Sequence, residues 1–140
     1  MENYDMPSSS AKKAEQVFPI LVSLADNQQI ESYIDIANRI GYKDARPLGG
    51  ILGFIMSYCI LEHIPCITRL VVSKATGLPG MQELMEFNLW RVFEFDWYSY
   101  KMPRARELDQ AKRKVDELLT QGETWYSLIT KYIPKGYLVN

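Results

Sequence analysis

The sequence predicts a mainly α fold of the α+β class, organised around a helix-turn-helix with a short β segment behind it. Two helical patterns meet at a turn at Gly41, a run of β-branched residues follows at 67–72, and more helical patterns occupy the C-terminal part. The chain has 140 residues, which is enough for one domain with its own core. We expect a single domain over 1–140, with the helix-turn-helix core at 29–80 and a C-terminal helical extension at 81–140.

Capping residues and apolar periodicity predict the first two helices. Serines at 8–10 offer N-caps for a helix that runs to about residue 26. Pro19 lies inside this helix and removes one backbone hydrogen bond, so we expect it to kink or split the helix. A second helix is predicted over about 30–40, with Ser32 as its N-cap, before the glycine turn.

The third predicted helix covers about 45–62 and is apolar around much of its circumference, which is typical of a buried helix. Asp44 is expected to cap it, and Pro47 suits its first turn, where a missing N–H costs nothing. Three glycines, at 49, 50 and 53, are poor helix formers. We expect them to allow close approach of another backbone along that face.

The rest of the chain is predicted from turns and local periodicity. A strand is expected at 67–72, and the turn at 74–77 is expected to form a wing or hairpin tip. Three further helices are predicted, at 82–97 (with a strand at 91–95 as the alternative), at about 104–121 and at 124–132.

Charge and hydropathy exclude some classes of function. The chain carries 16 basic and 17 acidic residues, a net charge of −1, so any nucleic-acid role must depend on local charge. The apolar run at 48–61 is too short to span a bilayer. With a polar N-terminus and two cysteines, we expect a soluble cytoplasmic protein with reduced thiols.

Four short motifs carry a resemblance to a known family. They read Ser32-Tyr33-x-x-Ile36-Ala37, Ile40-Gly41, Ala45-Arg46-Pro47-Leu48-Gly49 and Ile64-Pro65-Cys66. Together they resemble the C-terminal domain of O6-alkylguanine-DNA alkyltransferases and alkyltransferase-like proteins, over about 29–80. The resemblance implies a winged helix-turn-helix that enters the DNA minor groove. The run at 70–80 also resembles a segment of uncharacterised bacterial proteins that reuse such a domain.

The resemblance implies roles for three residues. Arg46 matches the arginine that fills the gap left by a flipped base, and Tyr33 matches the tyrosine that helps to rotate the phosphate of the flipped nucleotide. Cys66 falls at the alkyl-accepting cysteine, or at the tryptophan that replaces it in alkyltransferase-like proteins. No histidine follows Cys66 to lower its thiol pKa, so we expect neither alkyl transfer nor another enzymatic activity.

These observations predict a non-catalytic DNA-binding protein of the alkyltransferase-like winged-helix type. The pattern alone is also compatible with an ordinary antiparallel helix pair. Each residue expected to contact DNA lies at a predicted helix end or turn of the 29–80 core. These residues are Tyr33, Arg39, Lys43, Arg46 and Lys74. DNA is the expected partner, and no membrane role is expected.

An adaptor or regulator that binds another protein is the alternative function. Its predicted interface is an aromatic face formed by Trp90, Trp97, Tyr98 and Tyr100. The nearby carboxylates Glu94 and Asp96 lack a partner pattern for acid–base catalysis, so packing is the favoured explanation for this segment.

Two further clusters are interpreted as structural. Cys59, His63 and Cys66 have metal-ligand spacing but lack a fourth ligand, so no metal and no cofactor are expected. The basic residues at 112–114, with Arg104 and Arg106, alternate with acidic residues, which is typical of a solvated helix face.

Overall fold

The computed structural model describes residues 6–139, and within them the chain forms six α-helices and one two-stranded parallel sheet. The helices are α1 (Ser9–Asp26), α2 (Tyr33–Arg39), α3 (Leu48–Leu61), α4 (Leu89–Glu94), α5 (Ala105–Thr120) and α6 (Trp125–Tyr132). The strands are β1 (Glu31–Ser32) and β2 (Val71–Val72). Four short 3-10 helices complete the described chain, at Ile67–Leu70, Gln82–Glu86, Trp97–Ser99 and Lys135–Tyr137. The fold is therefore mainly α, as predicted.

Helix α3 is buried on most of its surface and packs against α1, α5, α6 and the 3-10 helix at 67–70. Its apolar circumference leaves no polar face to turn toward water, which confirms the prediction of a buried helix. It begins at Leu48 rather than at 45, because Asp44 accepts a hydrogen bond from the N–H of Arg46 and so closes a turn before the helix. Within residues 6–139 no helix is long and apolar enough to cross a lipid bilayer.

Helix α1 runs through Pro19 without being split. Ser8 caps it as predicted, with the Ser8 hydroxyl accepting a hydrogen bond of 3.1 Å from the N–H of Ala11. Pro19 is exposed, so its ring and its missing N–H lie on the solvent side, while Phe18 and Leu21 stay buried in the core. Of the two outcomes that Pro19 predicted, a kink or a split, the split is therefore wrong, because packing of the apolar face keeps the helix continuous.

The predicted strand at 67–72 is reduced to its last two residues. Residues Ile67–Leu70 form a 3-10 helix, and β2 pairs in parallel with β1, with Glu31 opposite Val71 and Ser32 opposite Val72. The turn at 74–77 is confirmed. The N–H of Gly77 donates to the Ser73 carbonyl, and the Ser73 N–H donates to the Leu78 carbonyl, both at 2.8 Å. The parallel pairing means that this β segment is not an antiparallel hairpin.

The prediction of one helix at 82–97 is wrong, because contacts with the chain terminus interrupt it. Phe87 forms a β-bridge with Leu138, and the N–H of Asn88 donates to the Tyr137 carbonyl at 2.9 Å. These contacts hold 87–88 extended, and the Asn88 side chain then caps α4 by accepting from the N–H of Trp90 at 3.0 Å. Helix α4 is only six residues long as a result.

Helices α5 and α6 confirm the prediction for the C-terminal part, apart from small shifts at their ends. Helix α5 packs against α1 and α3, and Leu108 and Val115 of its narrow apolar stripe are fully buried there, while Leu118 and Leu119 are partly buried. One continuous core contains buried residues of every α-helix. The segment at 81–140 therefore shares its core with 29–80.

Four helices end in the same hydrogen-bond arrangement, known as the Schellman motif, in which one residue adopts a positive φ. Glycine occupies that position after α2 and α5, at Gly41 (φ 94°) and Gly122 (φ 106°). After α1 and α3 the position is taken by Gln28 (φ 53°) and His63 (φ 61°). A side chain with a Cβ is strained in this conformation, so the last two sites store unfavourable backbone energy.

We expect Gln28→Gly to raise the free energy of unfolding by about 0.5–1 kcal/mol, because glycine adopts the positive φ without strain and Gln28 is exposed. Urea unfolding monitored by circular dichroism measures the change. The neighbouring Asn27→Gly is the matched control, since Asn27 has a φ of −92° and gains nothing from glycine. Equal stabilisation by both substitutions would contradict the explanation.

Candidate nucleic-acid interface

The structure distributes the predicted DNA-contacting residues over three neighbouring parts of the chain. Tyr33 begins α2 and Arg39 ends it. Lys43 and Arg46 lie in the connection between α2 and α3, and Lys74 lies in the loop that follows β2. Both lysines are exposed.

Tyr33 connects the start of α2 to the loop at 73–80. Its hydroxyl oxygen accepts a hydrogen bond of 2.7 Å from the N–H of Gly80. The approach is so close that a Cβ on Gly80 would lie 2.9 Å from that oxygen, which explains glycine at this position. Together with the β1–β2 pairing, this bond holds the loop beside α2. The hydroxyl proton of Tyr33 remains available as a donor.

Arg39 is already paired within the fold. Its Nε and one terminal nitrogen each donate to a carboxylate oxygen of Glu31 at 2.6 Å. This bidentate hydrogen bonding to Glu31 raises the pKa of Arg39 above its ordinary value. A phosphate would have to compete with Glu31 for the guanidinium, so Arg39 is the least suited of the predicted cations to bind DNA.

Arg46 extends into solvent, with its side chain 90% exposed. Its Nε and a terminal nitrogen donate to the Asp44 carboxylate at 3.1 and 3.0 Å. These hydrogen bonds raise the pKa of Arg46 and lower that of Asp44. Because exposed ion pairs are weak, Arg46 is able to leave Asp44 for a stronger anionic partner.

The N-terminal end of α3 is open beside Arg46. Pro47 precedes the helix and supplies no side-chain cap. A Cβ on Gly49 or Gly50 would meet nothing within 4 Å, and one on Gly53 would meet only the Lys112 side chain, at 3.4 Å. The expected close approach of another backbone to these glycines is therefore wrong within the described chain. The first turn of α3 therefore combines the positive end of the helix dipole with two glycines that are open to solvent.

Cys66 is buried and has no access to a substrate in this fold. Its exposed fraction is 0%, and its Sγ donates to the Met56 carbonyl at 3.9 Å. Burial, with a smaller contribution from the neighbouring Cys59, raises the pKa of the Cys66 thiol well above its ordinary value. The thiolate that alkyl transfer requires is disfavoured at this site.

His63 is engaged at the opposite end of α3. Its Nδ1 lies 2.7 Å from the Tyr132 carbonyl oxygen, and its ring stacks on that of Tyr132 with centroids 5.8 Å apart. Within residues 6–139, no three or more His, Cys, Asp or Glu side chains are grouped so that they could hold a metal ion.

The aromatic face predicted for a protein partner is smaller than expected. Trp97 is a core residue, only 3% exposed, and its Nε1 donates to the Val92 carbonyl at 2.8 Å. The prediction that Trp97 lies at the surface is wrong, because its indole N–H has an acceptor inside the core. Tyr100 is half-buried and donates its hydroxyl to Glu62. Trp90 and Tyr98 remain exposed, at 60% and 64%.

Sequence reasoning missed Arg69 as a candidate anion-binding residue. Its Nε is buried without a hydrogen-bond partner among the described residues, and burial lowers the pKa of Arg69. A partly buried guanidinium without a counterion is stabilised by an anion. The signal in the sequence was an arginine inside the apolar run at 67–72, where a charged side chain is unusual.

We expect Tyr33→Phe to lower the free energy of unfolding by about 0.5–1.5 kcal/mol, because the hydrogen bond to Gly80 is lost. The substitution should also speed hydrogen exchange at the Gly80 amide, which NMR measures directly. Tyr98→Phe is the control, since Tyr98 is exposed. If the Gly80 amide exchanges at the wild-type rate in Tyr33→Phe, the anchoring role is refuted.

We expect the Cys66 thiol to react with a disulfide reagent at least about tenfold more slowly in the folded protein than in urea at the same pH. Burial lowers both the access to the sulfur and the thiolate fraction. Mass spectrometry of digested, labelled protein separates Cys66 from Cys59. Equal rates in buffer and urea would show that the thiol is accessible in the folded state.

Comparisons of this chain with protein-family models, with curated proteins and with solved structures find no match.

Proposed function

We propose that this protein binds duplex DNA without catalysis, through the α2–α3 connection and the N-terminal end of α3. The observation that carries the proposal is the position of Arg46. It is nearly fully exposed and lies directly before an uncapped helix end, where the helix dipole attracts phosphate.

The fold proposed for this function is a winged helix-turn-helix of the alkyltransferase-like type. In support, α2 and α3 follow one another across a turn, and a β segment with a glycine-closed loop comes after α3. The loop at 73–80, held by Tyr33, would serve as the wing and bring Lys74 to the DNA. In the sequence resemblance to that family, Tyr33 and Arg46 match residues that contact DNA.

The affinity for DNA has to come from locally clustered positive charges, because the whole chain carries a net charge of −1. Lys43, Arg46 and Lys74 are exposed cations within the proposed surface. If these three contact phosphates, the logarithm of the affinity should fall with the logarithm of salt concentration with a slope of roughly −3. We further propose a cytoplasmic location, where reducing conditions keep both cysteines as free thiols.

The test is a salt titration of a fluorescently labelled DNA duplex, followed by anisotropy. We expect Arg46→Ala to weaken binding roughly tenfold at fixed low salt and to reduce the salt slope by about 1. Asp44→Asn should strengthen binding, because it removes the competing carboxylate beside Arg46.

The matched control is Arg106→Ala, which removes one exposed positive charge from α5, away from the proposed surface. Specific binding at Arg46 requires the control to bind DNA nearly as the wild-type protein does. Equal losses in Arg46→Ala and Arg106→Ala would indicate non-specific attraction, and an absence of salt-dependent binding in the wild type would overturn the proposal.

A further inference from the structure

A cavity of about 220 Å³ opens on a different part of the surface, between the end of α1 and the segment that follows α4. Its lining is aromatic and acidic, and consists of Val22, Asp26, Phe93, Glu94, Phe95, Asp96, Trp97 and Tyr98. It shares no residue with the proposed DNA surface. None of the lining residues is basic.

The electrostatic environment of this cavity favours a cation. Asp26 lies in the last turn of the 18-residue α1, where the helix dipole adds negative potential, and makes no ion pair within the described chain. Glu94 pairs only with Arg91, at 3.2 Å and in an exposed position. Asp96 accepts hydrogen bonds from the N–H and the hydroxyl of Ser99.

The aromatic side chains supply flat surfaces around these carboxylates. Tyr98 is 64% exposed at the cavity. The buried Trp97 forms a rigid wall, because its indole N–H donates a hydrogen bond to the Val92 carbonyl and its ring packs against that of Phe95, with centroids 4.5 Å apart. Beside the cavity, Phe93 contacts the exposed Trp90 edge to face, with centroids 5.6 Å apart. Exposed tryptophan and tyrosine on a rigid support are typical of protein interfaces.

We propose that this cavity binds an arginine side chain of a partner protein. A guanidinium is planar, stacks on aromatic rings and donates in a fork to carboxylates, so it matches both the rings and the acidic groups. The ammonium of lysine is more strongly hydrated and does not stack on aromatic rings, so lysine fits this cavity less well than arginine. The surface around the cavity, with Trp90 beside it, would contact the apolar residues next to the partner's arginine.

The test uses a capped tripeptide, acetyl-Gly-Arg-Gly-amide, titrated into the full chain and followed by amide chemical shifts. The matched probe is the same peptide with citrulline, which keeps the shape of arginine but lacks its charge. We expect the arginine peptide to shift amides of the cavity residues, and the citrulline peptide to bind at least about tenfold more weakly.

Two substitutions locate the site. Asp26→Asn should weaken arginine binding several-fold without destabilising the fold, because it removes a negative charge from a helix C-terminus. Tyr98→Ala should also weaken arginine binding several-fold, because it removes an aromatic face. The fold should stay intact, since the Tyr98 side chain is exposed. Glu117→Gln is the control, since it removes an exposed negative charge from α5 and should leave binding unchanged.

The proposal is overturned if the arginine and citrulline peptides bind alike, if no cavity amide shifts, or if Asp26→Asn and Glu117→Gln behave the same. No DNA is present in this experiment. Its outcome is therefore independent of the DNA-binding proposal.

Discussion

Burial of α3 is the constraint on which the rest of the fold depends. An apolar helix without a polar face is stable only when other elements cover all its sides, and each fully buried leucine or isoleucine contributes about 1.5–3 kcal/mol. Helices α1 and α5 cover it along its length, with α6 and the 3-10 helix at 67–70 completing the cover. At the N-terminal end of α3 only the face that carries Gly49 and Gly50 is exposed, because these residues have no side chain to bury, while Leu48 is fully buried.

The arrangement around α3 separates two surfaces of opposite character. The first turn of α3 brings the positive end of a helix dipole together with the cations Lys43 and Arg46. At the other surface, α1 ends beside α4 and brings the negative end of its dipole together with Asp26 and Asp96. A near-neutral net charge therefore conceals local differences in the sign of the charge between these two surfaces.

The structure shows which of the predicted DNA-contacting residues already have hydrogen-bond partners inside the fold. Tyr33 and Arg39 have internal partners, in Gly80 and Glu31, so part of their bonding capacity stabilises the fold. Arg46 has only a weak, exposed pairing with Asp44. The ion pair of Arg46 is also the more exposed of the two arginine pairs, since the Arg46 side chain is 90% exposed and the Arg39 side chain 51%.

The sequence by itself determined the helices whose signals are local. Ser8 and Ser32 cap α1 and α2, Gly41 and Gly122 end α2 and α5, and the apolar composition of α3 predicted its burial. These features depend on residues a few positions apart, so no distant contact is needed to interpret them.

Only the tertiary structure decided the segment at 67–99 and the availability of the site residues. A strand was predicted at 67–72, but only β2 forms, because its pairing partner β1 is two residues long. The helix at 82–97 broke where the chain terminus pairs with Phe87 and Asn88, some 50 residues away in sequence. Trp97 is buried rather than exposed, because its indole N–H donates a hydrogen bond to a carbonyl inside the core. Long-range pairing and burial override local propensity, and a single sequence does not record which distant partner prevails.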